Sequence, residues 1–161
     1  MNLLLGCGMI VLCLSLQILV VSYLLRGLSI LEKKHLLRFS TLSIWTLLIT
    51  VSLVLFIGNL CQAAIWAWLF LALGEYKDFV TALYFSLVNF TTLGYGDLVM
   101  SPERRILGAL EAANGVLMLG LTTSALYSVV SRIMQKGWRE LHDKQASPAQ
   151  PGNSKESASS G

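Results

Sequence analysis

Three stretches of this 161-residue chain are long, apolar and almost free of charge, a pattern that sits outside ordinary soluble domains. They run from about Leu3 to Leu25, from Phe39 to Gly74, and from about Ile106 to Val130, where Glu111 is the only charge. Crossing a bilayer takes roughly 20 apolar residues, so each stretch is long enough to span. Composition agrees: 55% of residues are hydrophobic, 13% are charged, and mean hydropathy is +0.66. The expected surrounding is a lipid bilayer, and no nucleic-acid partner is expected.

A fourth apolar segment, residues 79–91, is too short to cross. It reads as a helix that enters the membrane and returns, enclosed by protein rather than lipid. The fold class is therefore an all-α membrane protein with three transmembrane helices, one re-entrant helix and the loop that follows it. Charge sets the expected orientation. Arg26, Lys33, Lys34 and Arg38 crowd the first linker, and Arg132, Lys136, Arg139 and Lys144 follow the last span. Positive charge collects on the cytoplasmic side, which places both segments inside and the N-terminus and re-entrant loop outside, in a plasma or inner cell membrane. A signal peptide is the alternative for the first span, but no basic residue precedes it and no small-residue cleavage site ends it.

The second stretch is long for one crossing. A hairpin at Gly58-Asn59 would put the two basic segments on opposite faces, so one long tilted helix is preferred. Trp66 and Trp68 fit an outer aromatic belt, and Trp45 and Trp138 an inner one. The domain plan is an N-terminal helix over 1–25, a basic linker over 26–38 and a core over 39–131. The core divides into an outer helix (39–74), a re-entrant helix (78–91), a loop (92–96) and a last helix (102–131). A largely disordered cytoplasmic tail follows over 132–161, polar and rich in Ser, Gln, Gly and Pro. That tail is too short for a nucleotide- or calcium-binding regulatory domain. Without an arginine at every third residue of a span, there is also no voltage sensor.

The loop carries the chemistry. In Thr91-Thr92-Leu93-Gly94-Tyr95-Gly96-Asp97, Thr92-Leu93-Gly94-Tyr95-Gly96 resembles the selectivity filter of the potassium channel pore family, here of the bacterial type with one pore loop per chain and an extra N-terminal helix. The resemblance implies successive carbonyls turned towards one axis, a backbone path poor for residues with a Cβ that Gly94 and Gly96 allow, with the Thr92 hydroxyl oxygen below them. The resemblance covers about residues 40–131. It departs from the commonest pattern at Leu93, which stands for valine. It implies K+ held at Thr92, Leu93, Gly94 and Tyr95 by carbonyls that replace the ion's hydration shell, with Gly96 completing the filter. Leu93 and Tyr95 are expected to turn outward and brace the loop against its own pore helix. Tyr84 sits where, by the same resemblance, an aromatic donor can bond the aspartate after the filter, Asp97. In some bacterial channels a pore-helix glutamate pairs with that aspartate; the matching position here is Val88, so support for the filter must come from elsewhere. Tyr84, Phe85 and Phe90 form either an aromatic cuff around the filter or plain helix packing.

Two flanking signals frame the loop. Asp78 suits the N-cap of the pore helix, and Ser101-Pro102-Glu103 reads as the start of the last helix. Four copies of Asp97, beside Glu75, Asp78 and Glu103, would concentrate cations at an outer mouth. Glu75 and Glu103 are equally well read as ordinary solvated loop charges.

The last helix resembles the inner helix of simple potassium channels, with Gly115 matching the glycine treated there as a gating hinge. Close helix packing is the competing role for Gly115 and Gly120. Val116, Leu119 and Thr123 share a face that would line the cavity below the filter. Glu111 lies roughly 110° from the middle of that face at 100° per residue, and is expected to point at the pore helix or a neighbouring subunit. It is a functional candidate as an intramembrane acid.

Competing chemistries lack parts. Gly94-Tyr95-Gly96-Asp97 fits the Gly-x-Gly-Asp string of intramembrane aspartyl proteases. Such a site needs a second carboxylate, and the other aspartates, Asp78 and Asp143, lie outside the apolar spans. A phosphate loop would need a following Lys-Ser/Thr. Cys7, Cys13 and Cys61 match no metal or disulfide spacing. The chain is expected to be no enzyme and to need no cofactor. Because one filter ring takes four loops, it is expected to form a homotetramer. The expected activity is passive, potassium-selective conduction, with a weakly selective monovalent cation channel as the alternative.

Overall fold

A computed structural model describes residues 1–33 and 41–146. It is all-helical: α1 (Asn2–Lys33), α2 (Thr41–Ala72), α3 (Phe79–Phe90) and α4 (Arg105–Ala146). Three of these are long and apolar enough to cross a membrane, and α3 is not. Glycine 58 does not interrupt α2, which runs about 48 Å at 1.5 Å per residue.

Several boundaries differ from the sequence reading. Helix α1 continues past residue 25 to Lys33, because Leu28, Ile30, Leu31, Glu32 and Lys33 favour helix and one arginine does not end it. At its other end α4 begins at Arg105 rather than 102: the Arg104 N–H bonds Ser101 O in a preceding turn (3.0 Å). It runs on to Ala146, since residues 131–146 hold Met, Gln, Arg, Leu and Lys and no proline. The tail therefore starts as helix, and the expectation of disorder beyond 146 lies outside the described residues, as do Lys34 and Arg38.

Helix α1 lies parallel to α4. Asn2 Nδ2 donates to Glu103 O (2.8 Å), Gly6 sits on Leu107 and Leu110, Gln17 Nε2 donates to Thr122 Oγ1 (3.1 Å), and Arg132 reaches Ser29 Oγ (3.3 Å). Helix α2 runs antiparallel to both, and the core splits into two apolar layers. Near the end that holds α3, Cys13, Trp66, Phe70, Phe85, Phe90, Leu107 and Met118 pack together. Towards the other end, Leu28, Val51, Leu55, Ala125 and Val129 form the second layer. Between the layers a polar knot ties all three long helices. Gln62 Nε2 donates to Gln17 Oε1 (2.7 Å), and Asn59 Nδ2 donates to Thr122 Oγ1 (3.0 Å). Amide pairs of this kind bond across helices where no water competes. Trp66 is fully buried in the first layer, so it does not join an aromatic belt; its ring packs on Phe70, with centroids 5.8 Å apart. Trp45, Trp68 and Trp138 are exposed.

Candidate functional site

Helix α3 starts where Asp78, in extended conformation, accepts from Thr81 N (2.8 Å) and Thr81 Oγ1 (2.7 Å). Those bonds, the backbone one foremost, hold the Asp78 carboxyl below its usual pKa. Phe85 and Phe90 face the core: Phe85 meets Phe70 edge-on at 5.5 Å, and Phe90 is buried. These two rings pack helices and do not cuff the loop.

The chain leaves α3 through hydrogen bonds that fold the loop back on the last turn. Thr92 N donates to Asn89 O (2.9 Å), and Leu93 N (2.9 Å) and Gly94 N (3.3 Å) both donate to Val88 O. Val88 thus supports the loop through its carbonyl instead of its side chain. Positive φ then recurs at every second residue: Thr92 (58°), Gly94 (59°) and Gly96 (77°). Alternating the sign of φ turns successive carbonyls to one side of the ribbon, where an ordinary strand would point them to opposite sides. Thr92 is the only non-glycine with positive φ among the described residues. For a residue with a Cβ this costs about 1 kcal/mol. Its hydroxyl bonds Thr91 O (2.7 Å).

Leu93 and Tyr95 do not brace against their own pore helix. They are 55% and 67% exposed, because nothing in one chain covers that side of the loop. The hydroxyl of Tyr84 donates to Asp97 Oδ2 at 2.7 Å, bonding the pore helix to the far end of the loop. Glu75 is no solvated loop charge. Its side chain is 6% exposed and accepts from Ser101 N (3.0 Å), Ser101 Oγ (2.7 Å) and Arg104 Nη1 (2.9 Å). Burial raises its pKa, but these bonds outweigh burial and hold the carboxyl below its usual value. Helix α4 begins at Arg105, too far on for Ser101 to be its N-cap; the Ser101 hydroxyl donates to Glu75 instead, and Glu75 adds no free charge to an outer mouth.

Helix α4 presents two faces. Glu111, Asn114, Gly115, Met118, Ala125 and Val129 are buried against the chain's own helices, whereas Val116, Leu119, Gly120 and Thr123 are exposed. A Cβ at Gly115 would collide with the Phe90 carbonyl oxygen and lie 2.7 Å from Phe90 C, so α3 ends directly against this glycine. At Gly120 nothing lies within 4 Å. Glu111 is fully buried. Its Oε2 accepts from Asn89 Nδ2 (2.8 Å), and its Oε1 touches Ser86 Oγ, which also lies 2.6 Å from Ala63 O. Ser86 and Asn89 were not singled out in the sequence. Their signal is two polar side chains three residues apart on one face of a mostly apolar helix.

Among the described residues no cluster of His, Cys, Asp and Glu has the makings of a metal site. No curated protein and no solved structure matches the chain. A family model described as ion channel matches residues 19–132, a span that takes in the C-terminal part of α1, all of α2 and α3, the loop and most of α4. With three spanning helices around a short re-entrant helix and its loop, the chain belongs to this ion channel family, the two-transmembrane type with a pore loop.

Proposed function

We propose that the chain is a potassium-selective channel that conducts passively as a homotetramer. The observation that carries this reading is the loop at 92–96, with positive φ at Thr92, Gly94 and Gly96 on the exposed edge of a single chain. Four such ribbons around one axis would stack rings of carbonyl oxygens that replace the hydration shell of K+, from Thr92 through Gly96. One loop per chain calls for four chains. A neighbouring copy would cover Leu93 and Tyr95, and Val116, Leu119 and Thr123 would line the cavity beneath the filter. The C-terminal end of α3 enters the filter and places the negative end of a helix dipole near a cation's path. The N-terminus and filter share one end of the molecule, while Arg26, Arg132 and Arg139 lie towards the other. Basic ends inside give a cell membrane protein with the filter facing out.

The test is ion flux into liposomes holding the purified protein. K+ and Rb+ enter and Na+ does not, and Gly94→Ala, whose φ of 59° a side chain resists, loses conduction or discrimination. Equal Na+ and K+ entry through the unmodified protein would replace this reading with a weakly selective cation channel.

A further inference from the structure

We infer that Glu111 is a neutral carboxylic acid that donates its proton to Ser86, and so is the positioning residue that fixes the filter-bearing helix α3 on the pore-lining helix α4. Counting hydrogens leads there. Asn89 Nδ2 carries two, and they go to Gly108 O (2.6 Å) and Glu111 Oε2 (2.8 Å). Ser86 has one hydroxyl hydrogen but touches two acceptors, Ala63 O at 2.6 Å and Glu111 Oε1. One hydrogen cannot serve both, and two bare oxygens pressed together would repel. With a proton on Glu111 Oε1 every contact is satisfied: Glu111 donates to Ser86, Ser86 donates to Ala63 O, and Asn89 donates to Glu111 Oε2.

The donor Asn89 suits a carboxylate or an acid alike, and the surroundings hold no positive charge that would favour the carboxylate. Among the described residues the one ion pair is Arg104–Glu75, so no cation faces Glu111. The titratable groups within electrostatic reach are the Cys13 thiol of α1 and the Tyr76 phenol of the α2–α3 connection, neither of which can be a cation. From α3 it meets Ser86 and Asn89, which do not titrate. An unpaired charge in such a site would be costly, whereas a protonated acid is an ordinary donor and acceptor. Ser86 and Asn89 stand six and three residues before Thr92, so the acid grips α3 just behind the filter. The neighbouring Gly115–Phe90 contact closes the same seam. The protonation stands on this geometry alone; its effect on selectivity rests on the channel reading.

Infrared spectroscopy of the full chain in liposomes tests the protonation. The wild-type minus Glu111→Gln difference spectrum is expected to show a protonated-carboxyl C=O band and no carboxylate change. Loss of a carboxylate band instead overturns the inference. Ser86→Ala provides a second reading without altering Glu111: removing the acceptor shifts that band to higher frequency, and an unmoved band overturns the assignment. In flux assays Gln, which donates and accepts at the same places, keeps the Rb+-over-Na+ ratio. Glu111→Ala lowers it about tenfold, the scale set by leaving buried partners unsatisfied. A Gln variant as impaired as Ala overturns the positioning role. If the band is present but no version passes ions, the protonation stands and the channel reading fails; if the band is absent while K+ flux is selective, the inference alone fails.

Discussion

Gly115 of α4 abuts the main-chain carbonyl of Phe90, the last residue of α3, with no room between them for a methyl group. The obstacle is backbone, so it cannot rotate aside as a flexible side chain would. Gly115→Ala is expected to destabilise the protein by about 1–3 kcal/mol through overpacking. Gly120→Ala meets open space in the chain and gains up to about 1 kcal/mol of helix propensity. Apparent Tm in detergent separates the two, and equal Tm values for both variants would contradict the contact.

Tyr84→Phe removes the donor to Asp97 and leaves α3 packing intact, because the Tyr84 ring is half-exposed and its hydroxyl points at the loop. Apparent Tm is expected to stay near wild type while sustained Rb+ flux falls severalfold. Flux equal to wild type would show that the bond does not restrain the loop.

The three apolar stretches and the short fourth one made the helices legible, because lipid demands long uncharged runs and little else does. The loop was legible for a different reason: Gly94 and Gly96 advertise a backbone that side chains disfavour, and both do take positive φ. What composition hid was pairing. Glu75 reads as a solvated charge until Ser101 and Arg104, 26 and 29 residues on, are brought onto it. Trp66 reads as a belt residue because a tryptophan near a helix end looks the same whether it faces lipid or Phe70. Helix ends were blurred where good helix formers continue past the apolar run, as at residues 131–146.

The Glu75 cluster makes stability depend on pH. Its folded-state pKa lies below the unfolded value of 4.5, so the cluster's contribution is fully present above that pH. It is lost as pH falls through the lower folded value. Glu75→Gln is expected to lower stability by about 2 kcal/mol at neutral pH, the scale of hydrogen bonds to a charged group, and to flatten the acid limb. Thermal melts of both proteins from neutral pH down to acid check this; parallel acid limbs would contradict it.

Gln17 joins α1 to α4 and receives α2 through Gln62, so Gln17→Leu breaks two bonds in the polar layer at once. Interhelical bonds in membranes are worth about 0.6 kcal/mol each on average, so a loss near 1 kcal/mol is expected. Unfolding of the variant in mixed micelles measures it, and a gain in stability would show that the knot serves no structural purpose.

The central claim is that four copies of the 92–96 loop select K+. Its most direct measurement is the reversal potential of the purified protein in a planar bilayer with K+ on one side and Na+ on the other. The predicted result is a large potential, negative on the K+ side, that reports K+ as far more permeant than Na+ and collapses in Gly94→Ala. A reversal potential near zero from the unmodified protein would contradict the claim.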